Sequence, residues 1–88
     1  MFDWQDLKHF VVLARTGSLS AAAREMGCDH ATVGRRVAAL EKALGLRLIL
    51  RLPRSTPLTQ DGKMIAGLAA EIENQSHAIV RHARSAGE

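Results

Sequence analysis

The stretch Ser18–Gly45, SLSAAAREMGCDHATVGRRVAALEKALG, decides the reading of this 88-residue chain. Ser18 can accept a hydrogen bond from a backbone N–H one turn on, which starts a helix. Ala21, Ala22 and Ala23 are small enough for a second helix to come close, Met26 supplies the apolar end, and Gly27 breaks the run. Gly27-Cys28-Asp29 leaves a turn of about three residues, the length a helix-turn-helix requires. Asp29 then caps a further helix. Its inward stripe is Val33, Val37, Leu40 and Leu44, spaced four, three and four, and Gly45 stops it. The outward residues of its first turns are His30, Ala31, Thr32, Gly34, Arg35 and Arg36. Small residues permit close approach, and long cationic ones reach base edges and phosphates. The pattern predicts a helix that enters the major groove of double-stranded DNA.

Upstream, Asp3 is an N-cap and Trp4, Gln5 and Asp6 form a first turn. Leu7, Phe10, Val11 and Ala14 then make one apolar face, and Thr16-Gly17 ends the helix, with Gly17 free to adopt the left-handed conformation. This helix reads as a brace without chemistry, and Trp4 and Phe10 as packing residues.

Downstream, Leu46–Arg51 is short and apolar with charge at its ends, which fits one strand of a two-stranded ribbon. Leu52-Pro53-Arg54-Ser55-Thr56-Pro57 forms a turn at its tip, where two prolines limit strand pairing. This is the shape of a wing that holds Arg54 away from the body, toward a narrow minor groove of enhanced negative potential. Arg36 and Arg51 suit phosphates better than bases. Arg35 is the first choice for direct readout, because a guanidinium can bond guanine O6 and N7 together.

Thr59 caps the next helix, with Asp61 favourably placed in its first turn. From Gln60 to about Arg84 there is no proline, so that helix could run roughly 35 Å. Leu58, Ile65, Ile72 and Ile79 recur every seven residues, with Leu68 or Ala69 between them. That heptad seam predicts a homodimer through this helix, interrupted by Gln75 and Ser76. The chain thus divides into a winged helix-turn-helix over 1–58, a linker and dimerisation helix over 59–84, and a tail over 85–88. The fold class is mainly α, three helices plus a short two-stranded β wing, followed by the long helix.

The totals agree. Hydrophobic residues make up 47% of the chain, which rejects disorder, and the aromatics are Phe2, Trp4 and Phe10 alone, which favours helices over sheets. From His30 to Leu58 six basic residues face the single acid Glu41, a local +5 within a total of +3. Such a block on a near-neutral body is the footprint of a polyanion binder. Cys28 is the only cysteine, so no internal disulfide forms, and it reads as a small buried thiol. The opening segment is acidic and amphipathic rather than a basic-then-apolar leader, and no apolar run nears about 18 residues. A soluble cytoplasmic protein with no membrane partner is expected. His9, His30, His77 and His82 build neither a metal site nor a catalytic arrangement: Cys28-x-His30 has no second ligand pair, and His77 and His82, five apart, do not share a helix face. No enzyme, metal or cofactor is expected. A protein-binding winged helix is the alternative; the basic third helix and the wing arginine weigh against it.

These residues resemble the amino-terminal domain of LysR-type transcriptional regulators from about Trp4 to Ala70. The resemblance rests on SLSAAAREM, on VAALEKALGLRL from Val37 and on RLPRSTPLTQDG from Arg51, in the family's order and spacing. It implies a winged helix-turn-helix followed by a long helix, and a dimer in which the two long helices lie antiparallel. It implies base contacts at His30, Ala31, Gly34 and Arg35, a minor-groove contact at Arg54, and phosphate contacts at Ser18, Ser20 and Thr32. The chain departs from the pattern at His30, where Gln is usual, at Gly34 (Ser or Thr), at Ser55 (Gly) and at Ile49 (Phe). The resemblance implies that family members continue into a larger effector-binding domain, so an excised domain or a truncated protein is expected, and the open-ended last helix favours excision. A small-molecule effector, and a tetramer, belong to that longer form.

Overall fold

The computed structural model describes residues 1–87 and contains four helices: α1 (Trp4–Thr16), α2 (Leu19–Met26), α3 (His30–Leu44) and α4 (Gln60–Ala86). All four begin at the predicted caps. Asp3 accepts from the Gln5 N–H, Ser18 from Ala21, Asp29 from Thr32 and Thr59 from Gly62. The first three helices end at glycines in the left-handed region, Gly17, Gly27 and Gly45. After Gly27 and Gly45 the next N–H turns back as well, Cys28 to the Ala23 carbonyl and Leu46 to that of Glu41. These bonds satisfy carbonyls that a helix end leaves bare, and the first of them sets the tight exit that turns α2 into α3.

α1 touches each of the other three helices, and α4 touches α1 alone among them. The brace is therefore the hub. Its burial exceeds the predicted single stripe: Asp6, His9, Val12 and Leu13 are buried with Leu7 and Phe10, while Val11 and Ala14 are half-buried. A helix packed from several sides has no solvent face wide enough to keep one stripe. The core is completed by Ala22, Ala23, Val33, Val37, Leu40, Leu48, Ile49 and Ala69. Cys28 is a half-buried free thiol packed against it. Trp4 is 54% exposed and meets Phe2 edge-on at 5.2 Å, so it packs at the margin.

The expected two-stranded ribbon is reduced to two isolated antiparallel bridges, Ile49 with Leu58 and Leu52 with Ser55; no strand occurs among the described residues. The prolines explain this. Leu50 donates to the Pro57 carbonyl at 2.9 Å, but Pro57 has no N–H to return the bond. Leu52 donates to Ser55 at 3.0 Å across Pro53 and Arg54, closing the tip as a tight turn.

α4 starts against the core and then leaves it. Gly62 is buried beneath Leu48: a Cβ added there would lie 2.0 Å from the Leu48 carbonyl oxygen. Beyond Ala69 almost every residue is exposed, and the molecule measures 51 × 26 × 18 Å because the helix projects as a rod. No described helix is long and apolar enough to cross a membrane. The helix includes Ser85 and Ala86, so the expected tail shrinks to Gly87, and Glu88 lies outside the described residues.

Candidate nucleic-acid interface

The outward surface of α3 follows from its buried stripe. Val33, Val37 and Leu40 have no exposure. At about 100° per residue, Arg35 lies almost opposite them, with Ala31 beside it. His30, Ala31 and Arg35 are exposed, while Thr32 and Gly34 are half-buried. Arg35 donates to the Thr32 hydroxyl at 3.1 Å and forms no ion pair among the described residues. Its guanidinium is therefore lightly held. Nothing approaches within 4 Å of a Cβ added at Gly34. Packing within the chain does not require glycine there.

His30 also borders a second feature. A cleft of about 220 Å³ is lined by Ser18, Ser20, His30, Arg54 and Thr56, among others. It brings the α2 N-terminus, the start of α3 and the proline-flanked tip to one side of the molecule. Arg54 is exposed at that tip and, like Arg35, has no ion pair among the described residues. Ser20 is exposed and Ser18 half-buried, the latter engaged in its cap.

Two arginines expected on phosphate are engaged within the chain. Arg51 Nη2 donates to Glu41 Oε1 at 2.7 Å. The other carboxylate oxygen of Glu41 accepts from the N–H groups of Leu48 at 2.8 Å and Ile49 at 3.3 Å. Burial pushes the Glu41 carboxyl up, but the hydrogen bonds from Arg51 and the two amides outweigh it and hold the group below the usual glutamate range. Glu41, read from composition as the lone acid of a basic block, is thus the clasp at the base of the tip. Arg36 Nη1 lies 3.2 Å from Asp6 Oδ1 and 3.9 Å from Asp3 Oδ2. That contact competes with its expected phosphate contact. Both acids sit thirty or more residues away in sequence, so no local pattern signals the contact. Arg15 and Glu25 form a further, exposed pair between α1 and α2.

The residues expected at a dimer interface divide. Ala69 is 2% exposed within a single chain, its surface spent against its own domain. Leu58 and Ile65 are half-buried on the same core. Leu68, Ile72 and Ile79 are exposed, as are Met64 and Val80.

Comparison with known proteins places this geometry. The family model described as "Bacterial regulatory helix-turn-helix protein, lysR family" matches residues 4–63. The chain is 41% identical over 63 residues to an uncharacterized HTH-type transcriptional regulator of Mycobacterium bovis, covering 72% of this chain and 20% of that one. It is 34% identical over 79 residues to the SDS degradation transcriptional activation protein of a Pseudomonas species, covering 90% and 26%. The chain therefore spans about a fifth to a quarter of these relatives. Among solved structures, the CbnR DNA-binding domain in complex with DNA matches with a TM-score of 0.87 at 28% identity, over 99% of this chain and all of that one. The BenM domain in a DNA complex matches with a TM-score of 0.89 at 21% identity, over 99% and 98%, a likeness of fold. With four capped helices, an outward cationic face on α3 and a family match over residues 4–63, the chain belongs to the bacterial regulatory helix-turn-helix proteins of the LysR family and spans their helix-turn-helix region.

Proposed function

We propose that this chain binds double-stranded DNA sequence-specifically as a two-fold dimer. α3 enters the major groove, and Arg54 enters the flanking minor groove. One observation carries the reading: among the described residues Arg35, exposed on the outward side of α3, and Arg54, exposed at the tip, form no ion pair, as is also true of Lys42 and Arg47, whereas Arg36 and Arg51 are tied down. Arg35 is assigned to base edges, with His30, Ala31 and Gly34 lining the same approach. Thr32, Ser18 and Ser20 are assigned to phosphates, where α2 and α3 present N-termini. The tip acts as a wing even without a ladder, because two prolines and the Glu41 clasp hold it. Its preference is for narrow, A/T-rich grooves by shape.

The dimer is assigned to the exposed part of the heptad seam, Leu68, Ile72 and Ile79. A two-fold axis there predicts an interrupted palindrome. In a longer protein of this family, a following domain would carry any effector site and the choice between activation and repression. The proposed setting is the cytoplasm, where such regulators meet their DNA.

The test is selection of bound duplexes from a random pool, followed by the same selection with Arg35→Ala. The expected result is a palindromic site whose strongest positions lose their preference in the variant, with a loss of about 1–3 kcal/mol at those positions. An even loss across all sequences would remove Arg35 from base readout. Salt titration separates DNA binding from a protein-binding role, since only the former weakens steeply as counterions return to the duplex.

A further inference from the structure

α3 is held by a polar contact on each flank of its buried stripe. At about 100° per residue, Arg36 lies about 70° to one side of the centre of Val33, Val37 and Leu40, and Glu41 about 70° to the other. Arg36 reaches α1 through Asp6 and Asp3. Glu41 reaches the Leu48–Arg51 segment through two backbone amides and Arg51. Arg35 projects from the opposite side, midway between these anchors.

The Asp6 contact is the unusual one. The Asp6 side chain is only 10% exposed, and Arg36 is its one side-chain hydrogen-bond partner among the described residues. A buried carboxylate is costly unless paired. Moving the guanidinium to a DNA phosphate would strand that charge, so Arg36 stays on Asp6. Asp3 draws it further in, while its other oxygen caps α1 at Gln5 with a 2.7 Å bond. The pair therefore ties the start of the hub helix to the middle of the reading helix. An apolar stripe alone resists separation of two helices better than it resists rolling of one on the other. A roll of about 20°, at a helix radius of about 5–6 Å, carries a side-chain tip about 2 Å, more than a bidentate hydrogen bond tolerates.

We propose that Asp6 and Arg36 are positioning residues for sequence readout. They fix the roll of α3 so that Arg35 meets the correct base edge, and neither touches DNA. This rests on the DNA-binding reading above and assigns specificity to residues off the interface.

The experiment uses the duplex that the wild-type chain selects from a random pool. Its affinity, and that of its single-base variants, is measured from 50 to 200 mM salt for the wild type, Arg36→Gln, Asp6→Asn and the double variant. The expected result is a loss of discrimination of about tenfold, within what one bidentate contact supplies, at the base pairs that Arg35→Ala marks as its own. That loss should be the same in both single variants and no larger in the double. The salt slopes should match the wild type. If Arg36 is instead a phosphate contact, Arg36→Gln lowers the slope by about 0.9 per protomer, about 1.8 for the dimer, and leaves discrimination intact, and Asp6→Asn binds more tightly because the guanidinium is released; either result overturns the proposal. The double variant leaves neither a buried carboxylate nor a guanidinium without its partner, so it decides the question even if Arg36→Gln or Asp6→Asn weakens the fold. A wild-type chain that selects no duplex fails at the earlier step and overturns the DNA-binding reading itself.

Discussion

Two glycines of similar appearance in the sequence do opposite work. Gly62 lies where α4 crosses the Leu48 carbonyl, and a Cβ there meets backbone at 2.0 Å, which cannot yield as a flexible side chain would. Gly62→Ala should destabilise the fold by about 1–3 kcal/mol, the usual cost of overpacking. Gly34 has empty space where its Cβ would be, and its place in the interior of α3 costs helix stability. Gly34→Ala should therefore stabilise the free protein by about 0.5–1 kcal/mol. Urea midpoints of the two variants check both signs, and a stabilising Gly62→Ala would refute the close crossing. Gly34 was legible as a departure from the family pattern. The constraint on Gly62 was not, because it comes from a carbonyl fourteen residues away.

At the scale of elements, the tip between α3 and α4 depends on Glu41. Its carboxylate bonds the amides of Leu48 and Ile49 and the Arg51 guanidinium, and these contacts lower its pKa on folding. A carboxyl whose folded pKa is depressed adds stability above its unfolded value, about 4.3 for Glu, and loses it as pH falls through the folded value. Acidification below about pH 4 should therefore loosen the tip, seen as faster exchange of the Leu48 and Ile49 amides. Glu41→Gln should show the same rapid exchange already at neutral pH, with little further response to acid. Unchanged exchange in the variant would mean that packing alone holds the segment. The helices themselves were legible from caps and stops, which are local. The missing ladder was half legible: the prolines were visible, but the partner register was not.

Over the whole molecule, a helical head and a projecting rod share α4. The seven-residue repeat of Ile65, Ile72 and Ile79 runs through both, interrupted only by Gln75 and Ser76. Only Ile72 and Ile79 are exposed, because the head ends near Ala69. Ile79→Glu should shift the mass in solution from dimer to monomer while leaving the melting of the head within about 0.5 kcal/mol, as an exposed site does. Ala69→Glu should instead unfold the head, since it places an unpaired charge in the core. A dimer that survives Ile79→Glu would move the interface off this face.

The sequence by itself determined the four helices, their caps and stops, the turn between α2 and α3 and the outward cationic face, because each of these depends on residues within a turn or two of one another. The family was legible in it too, through the order and spacing of three motifs. Tertiary structure decided which charges are free. Arg35 and Arg36 are neighbours with the same side chain, yet one faces outward and the other is held by Asp6, thirty residues upstream. It also decided where the rod begins, since a repeat along one helix carries no record of where the rest of the chain stops packing against it. Both are settled by contacts between distant segments, which exist only once the chain has folded.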